Sequence, residues 1–333
     1  MLFRLLLTVL MMVGSRGLQS WSRLGLKLKP DKRSTFEASQ YHIEEVDTHP
    51  NLANVAKKHM AHRDVWRSKY SPSHHTIEAF EMSKKFVYDF NDFDDAGGLP
   101  VILDSGCGTG RSSALLAARF PHIPVIGLDK SAARIMKSNH WSESNEEKPD
   151  VDLPNLLLLR CDVIDFWLLA ATTLTSGSKP VWDVKLHTIL YPNPYPKSGH
   201  LQRRWHGHPI FPFLLQLGAD ELRLRASWRT YLDEFAQAVE VAAEFTSREV
   251  DGPSDAGTTA LSASCERYLP FAQKGPTQLS VPGFGDGFTG CSGNMEHDEY
   301  LTNFEAKYFK SQPQQPTYEL RLGKLGGVPM HSP

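Results

Sequence analysis

The stretch "LPVILDSGCGTGRSSALLAARF", residues 99–120, restricts the fold more than any other part of this chain. A short apolar run leads into three glycines at alternate positions, Gly106, Gly108 and Gly110, and then into apolar residues at helical spacing. Glycine takes a tight turn without strain and leaves no Cβ where a ligand must approach the backbone. Strand, glycine turn and helix in that order form a cofactor-binding edge in parallel sheets. Four more apolar runs follow, "IPVIGLD", "NLLLLRCD", "WDVKLHTIL" and "ADELRLRAS", separated by helix-patterned segments. This alternation predicts an α/β chain with a doubly wound, mostly parallel sheet.

The rest of the 333 residues divides around that unit. Residues 1–40 begin with the apolar "MLFRLLLTVLMMV", carry Arg4, Arg16, Arg23, Lys27 and Lys29, and have no acid before Asp31. The pattern predicts a presequence for an organelle (mitochondrion or plastid), with the cytoplasm as the alternative and no membrane span in the mature chain. Residues 41–95 read as a helical extension, through "HPNLANVAKKHM" and "TIEAFEMSKKFVYDF", joined by the basic, aromatic connection "WRSKYSPSHH". Residues 96–325 hold the sheet, and 245–295 read partly as a loop insertion because "SREVDGPSDAGTTALSAS" has loop composition. The tail "LTNFEAKYFKSQPQQPTYELRLGK" predicts a helix and a last strand. Four cysteines lie far apart without metal-ligand spacing, so neither zinc nor a disulfide framework is expected.

Three acids close successive strands: Asp104 before the glycines, Asp129 after the second strand and Asp162 after the third. An acid at the end of the second strand can accept both hydroxyls of a ribose. The spacing G-x-G-x-G, preceded by an acid, departs from the dinucleotide pattern and suits a cationic donor such as S-adenosylmethionine. A structural glycine turn with ordinary strand-end acids is the alternative. "DSGCGTG" resembles the first motif of class I methyltransferases and "GLD" their second; the resemblance implies adenine contact at Asp162.

"YPNPYPKSGHLQRRWHGHP", residues 191–209, leaves the fourth strand as a loop stiffened by proline. The formal charge of the chain is only −2, yet Lys197, Arg203, Arg204, Arg223, Arg225 and Arg229 crowd into 197–229, which predicts a basic face. "NPYP" partly matches the Asn-Pro-Pro-Tyr motif of amino-group methyltransferases, with proline and tyrosine transposed. The longer stretch resembles the "FPDPWPK…H…RR" motif of the tRNA (guanine-N7)-methyltransferase family. "LRASWRTYLDEF" and "TNFEAKY" resemble that family's later segments, so the likeness runs from about 100 to 322 with 245–295 unmatched. It implies donor contacts at Asp104, Asp129, Asp162 and Asn193, beside the glycines, and substrate contacts at Lys197, Ser227, Thr302 and Glu305. Arg203 and Arg204 are expected to meet phosphate. Asn193 stands where the family has aspartate, and Ala226-Ser227 replaces its Thr-Asp pair.

Guanine N7 has a lone pair and no proton, so methylation there needs positioning rather than a general base. Asn193 can hold a guanine edge through its amide. The expected function is S-adenosylmethionine-dependent methyl transfer to guanine N7 in tRNA. The alternatives are another methyl acceptor (an exocyclic amine of RNA or protein, or a small molecule) and a noncatalytic RNA-binding module. Thr302 and Glu305 also spell a capping box, Tyr195 and Trp205 are candidates for base stacking or packing, and Asn193 alone would suit a turn.

Overall fold

A computed structural model describes residues 43–91, 98–137, 153–173, 182–249, 256–279, 301–311 and 316–325. The presequence-like segment, residues 1–40, lies outside the described residues, as do the end of the helix expected after Lys130 (138–141) and residues 250–255 and 280–295 of the 245–295 insertion.

Seven strands form one sheet in the order β3-β2-β1-β4-β5-β7-β6. They are β1 (Leu99–Ser105), β2 (Val125–Asp129), β3 (Leu156–Arg160), β4 (Trp182–Leu190), β5 (Glu221–Ala226), β6 (Thr277–Leu279) and β7 (Thr317–Gly323). The first five pair in parallel, and β7 runs antiparallel to both β5 and β6. Neighbouring β1 residues pack on opposite faces: Val101 and Leu103 join the larger core, while Ile102 joins Leu116, Phe120, Val125 and Leu186 beneath the other face. A strand covered on both sides needs the continuous apolar runs that made these segments readable. This is the class I methyltransferase architecture expected from the sequence.

The helices follow in chain order: α1 (Leu52–Ala61), α2 (Arg63–Lys69), α3 (His74–Phe90), α4 (Arg111–Arg119), α5 (Ala132–Ile135), α6 (Val163–Thr173), α7 (Phe211–Gln216), α8 (Arg229–Glu249), α9 (Ala256–Ala272) and α10 (Asn303–Ser311). Two differ from expectation. The connection "WRSKYSPSHH" is partly helical as α2. Part of the segment expected to be loop is α9, whose Leu261, Cys265, Tyr268 and Ala272 are buried at i, i+4, i+7 and i+11. That spacing is a helical stripe; the surrounding serines, threonines and glycine hid it.

Carboxylates at two helix starts help to tie the N-terminal extension to the sheet domain. Glu45 accepts the Arg229 and Thr230 backbone N–H groups at 3.0 and 3.1 Å, capping α8 with a carboxylate. The Tyr70 hydroxyl and the Ser73 hydroxyl and N–H donate to Asp165 in the first turn of α6, at 2.6, 2.6 and 2.9 Å. Negative charge is favourable at both helix starts.

Two arginines counted toward a basic face belong to the core. Arg223 pairs with Glu221 at 2.5 Å, and Arg225 with Glu305 and Glu319 at 2.8 and 2.7 Å, all buried. Cations carried on a central strand are retained only with such partners. No helix among the described residues is long and apolar enough to cross a membrane, and no His/Cys/Asp/Glu group there could hold a metal.

Candidate active site

Parallel pairing puts the carboxyl ends of β1, β2, β3 and β4 on one edge of the sheet, with Ser105 opposite both Leu128 and Ile189, and Asp129 opposite Arg160. The glycine loop and the proline loop therefore leave adjacent strands at the same edge, where ligands bind in sheets of this kind.

The glycine loop is fixed by Gly106 and Cys107, whose N–H groups donate to Leu128 O at 2.7 and 2.9 Å. Gly106 and Gly108 have φ of 81° and 63°, and a Cβ on either would meet nothing within 4 Å. Gly110, at φ 79°, instead faces Leu158 and packs the helix start. Two glycines thus leave open space above the backbone and one closes the turn.

The three strand-end acids separate by role. Asp104 is buried and accepts the hydroxyls of Ser112, Ser113 and Thr188 at 2.6, 2.6 and 2.8 Å. Burial pushes its carboxyl up from the usual range, against those hydrogen bonds. Its expected contact with a donor is corrected: it anchors the loop from below. Asp129 accepts the N–H groups of Gly108 and Ser131 at 3.0 and 2.7 Å, tying the glycine loop to the end of β2. Asp162 is partly exposed, accepts Lys130 Nζ at 2.8 Å and caps α6 through Ile164 N–H at 2.9 Å.

The proline loop enters through Tyr191, whose N–H donates to Arg225 O at 2.8 Å. Tyr191 and Tyr195 hold φ of 53° and 45°, a left-handed conformation uncommon for bulky residues and often tied to function. Between them Asn193 is exposed, its Oδ1 accepting Tyr195 N–H at 3.4 Å. A cleft of about 490 Å³ opens here, lined by Ile164, Asn193, Tyr195, Gln202, Arg203, Trp205, His208 and Tyr231. Its wall carries amide, aromatic and guanidinium groups and no acid. Burial pushes His208 down to about 4, so its imidazole is neutral near pH 7. Trp205 both lines the cleft and packs edge-on against Trp167 at 5.0 Å.

The remaining expected substrate contacts divide. Lys197 and Arg203 are exposed, with the Arg203 guanidinium 5.8 Å from the Tyr195 ring centre. Ser227 is half-buried at the end of β5. Arg204 is 2% exposed, and its expected phosphate contact is corrected: it donates to Glu234, Tyr195 O and Pro196 O and lies 4.9 Å from the Trp228 ring centre. Glu305 is also corrected. It is fully buried, where it accepts Leu301 N–H, the Tyr191 hydroxyl at 2.7 Å and Arg225, while its own N–H donates to Thr302 Oγ1 at 3.0 Å. Thr302 caps α10, Glu305 reaches back to Leu301 N–H, one residue before the cap, in a variant of the capping box, and steric enclosure leaves Glu305 no route to a substrate. That helix start still touches both loops: Asn303 donates to Thr109 at 2.9 Å, and Phe304 packs on Tyr191 at 4.6 Å.

Several residues of the site escaped the sequence reading. Ile164, Gln202, His208 and Tyr231 line the cleft, while Glu45 and Glu234 brace it. Glu234 carried a readable signal: one acid on the buried stripe of Tyr231, Phe235 and Ala238.

A family model described as "Putative methyltransferase" matches residues 99–251. The tRNA (guanine-N(7)-)-methyltransferase of Mycolicibacterium gilvum (strain PYR-GCK) is 29% identical over 127 residues, 37% of this chain and 42% of that protein. Trans-aconitate 2-methyltransferase of Deinococcus radiodurans is 54% identical over 37 residues, 11% of this chain and 14% of that protein. Among solved structures, the 16S rRNA methyltransferase KamB overlaps with a TM-score of 0.37 at 15% identity, covering 77% of this chain and 96% of its own. The chain thus spans less than half the length of the curated relatives described here. Its sheet order is that of the class I methyltransferase fold, and over part of its length its sequence is similar to tRNA (guanine-N(7)-)-methyltransferases.

Proposed function

We propose that this chain transfers a methyl group from S-adenosylmethionine to guanine N7 in tRNA. The observation that carries the reading is the placement of Asn193: exposed on the loop after β4, the strand paired with β1 that leads into the glycine loop, in a cleft whose lining has no acid.

The donor's fit is supported by the open space over Gly106 and Gly108 and by the carboxylates of Asp129 and Asp162 at the ends of β2 and β3. Asp129 would hold the ribose hydroxyls and Asp162 the adenine end, while the glycine backbone lies against the remainder. Bound there, the donor supplies a methyl on a sulfonium, already activated toward a nucleophile.

The protein's share of the chemistry is orientation. Asn193 donates from its amide nitrogen to guanine O6 and accepts N1–H at its oxygen, fixing the plane in which N7 approaches. Tyr195 and Trp205 border the ring, and Lys197 and Arg203 meet the backbone phosphates. A ring nitrogen with a free lone pair loses no proton, so a wall of neutral amides and a neutral His208 suffices. An exocyclic amine would have to lose a proton, and the cleft wall carries no carboxylate to take it. The similarity to tRNA (guanine-N7)-methyltransferases supports tRNA as the partner.

The test is incubation of purified protein with total tRNA and labelled donor, followed by nucleoside mass spectrometry. Label in 7-methylguanosine is expected. Label in another nucleoside or in protein would move the reading to a different acceptor. Donor binding with no transfer to any acceptor would make the chain a binding module. We further propose that the presequence-like segment directs the chain to an organelle; a comparison of C-terminal fluorescent fusions of the full-length chain and of residues 41–333 tests this, and identical distributions would contradict it.

A further inference from the structure

Glu234, one turn into α8, gathers three segments remote in sequence, with 1% of its side chain exposed. Arg204 donates from Nη1 to both carboxylate oxygens, at 2.6 Å to Oε1. His206 Nε2 lies 2.8 Å from Oε2 and donates to it, since an ionised carboxylate can only accept, while burial pushes the imidazole down. The His49 backbone N–H donates to Oε1 at 3.0 Å, fastening the N-terminal segment to the same group. Burial pushes the Glu234 carboxyl up; His206 and Arg204 more than reverse this, leaving it below the usual carboxylate range.

The other side of Arg204 reaches the proline loop. Its Nε and Nη2 donate to Tyr195 O at 3.2 and 3.1 Å, and Nη2 to Pro196 O at 3.3 Å. Those carbonyls directly follow Asn193–Pro194, and Tyr195 is one of the two left-handed tyrosines. Such a backbone persists only where its surroundings over-determine it. A fork that grips a carboxylate on one side and two carbonyls on the other does this, and lysine could not. Trp205 N–H to the Tyr231 hydroxyl at 3.2 Å and His49 Nε2 to Ser198 Oγ at 3.0 Å fix the loop's later turns.

We propose that Glu234 is the positioning residue of the acceptor loop: through Arg204 it holds the Tyr195 and Pro196 carbonyls, and so sets Asn193 at the mouth of the cleft. The inference rests on the reading of Asn193 given above. Glu234 touches neither substrate nor donor; it acts through the loop.

The test joins hydrogen-exchange mass spectrometry to kinetics, on wild type, Glu234→Gln and Arg204→Lys. In both variants amide exchange across 191–208 is expected to rise at least about tenfold, while 103–110 stays within about twofold. Donor affinity should hold within about twofold, and kcat on tRNA should fall at least about tenfold with a smaller change in KM. Unchanged exchange across 191–208 overturns the proposal. So does exchange raised equally over the whole sheet, which would make Glu234 a support of the fold alone. Should Glu234→Gln not fold, Arg204→Lys carries the test, because it keeps the buried charge and removes the fork. Should wild type leave tRNA unmethylated, the functional reading fails, and the exchange comparison still decides what Glu234 does.

Discussion

Gly106 and Gly108 differ from Gly110 in what a side chain would meet, and this separates binding from packing within one turn. Alanine at Gly108 would sit at φ 63° in open space, costing about 1 kcal/mol of strain. Its methyl would project where the donor is expected to lie. Gly108→Ala should therefore weaken donor binding by about tenfold or more while lowering stability by only about 1 kcal/mol. Calorimetry and urea unfolding on the same sample check both; full donor affinity would remove the loop from the site. Arg204 and Glu305 show the opposite situation. Both occupy motif positions, yet 2% and 0% exposure turn them from substrate contacts into braces. Residue type and spacing carried the same letters for either role, and only burial distinguishes them.

Elements were more legible than roles. Strands covered on both faces are mostly written as apolar runs, which made β1 to β4 readable, whereas β5 alternates leucine with arginines that only buried ion pairs explain. The three-residue β6 is too short to carry a pattern, and α9 hides a regular stripe among small polar residues. The bracing of α8 by Glu45 joins positions 184 and 185 residues apart, a relation that no local spacing encodes. Replacing that carboxylate, Glu45→Ala, should cost about 1–2 kcal/mol of stability by denaturant unfolding, the worth of a charged helix cap. An unchanged midpoint would make the N-terminal segment incidental. For the loop, Lys197 and Arg203 are the exposed cations facing the proposed backbone path, whereas Arg204 is internal. Lys197→Ala with Arg203→Ala should reduce the salt slope of tRNA binding by about 2. An unaltered slope would put the nucleic acid elsewhere.

For the whole molecule, buried histidines set an acid limit. His187 donates to or accepts from Ser105 at 2.8 Å beneath the glycine loop, and burial pushes it down to about 3. Unfolded, it takes a proton near the ordinary value of 6.5. Below that value the unfolded chain binds more protons than the native one, so stability falls as pH drops from 6.5 toward 3. His187 alone accounts for about 2 kcal/mol between about pH 7 and about pH 5, and His208 adds in the same direction. His187→Gln should flatten the measured pH dependence by that amount; parallel curves would show that the histidine titrates alike in both states.

The central claim is that the glycine loop and the proline loop serve one cleft with divided labour, the first holding the donor and Asn193 orienting the acceptor. Asn193→Ala measures it most directly, with donor affinity by calorimetry and turnover on tRNA taken from one preparation. Donor affinity is expected within about twofold of wild type and turnover lowered about 10- to 100-fold, the loss of one or two oriented hydrogen bonds. Turnover equal to wild type, or a loss matched by an equal loss of donor binding, would contradict it.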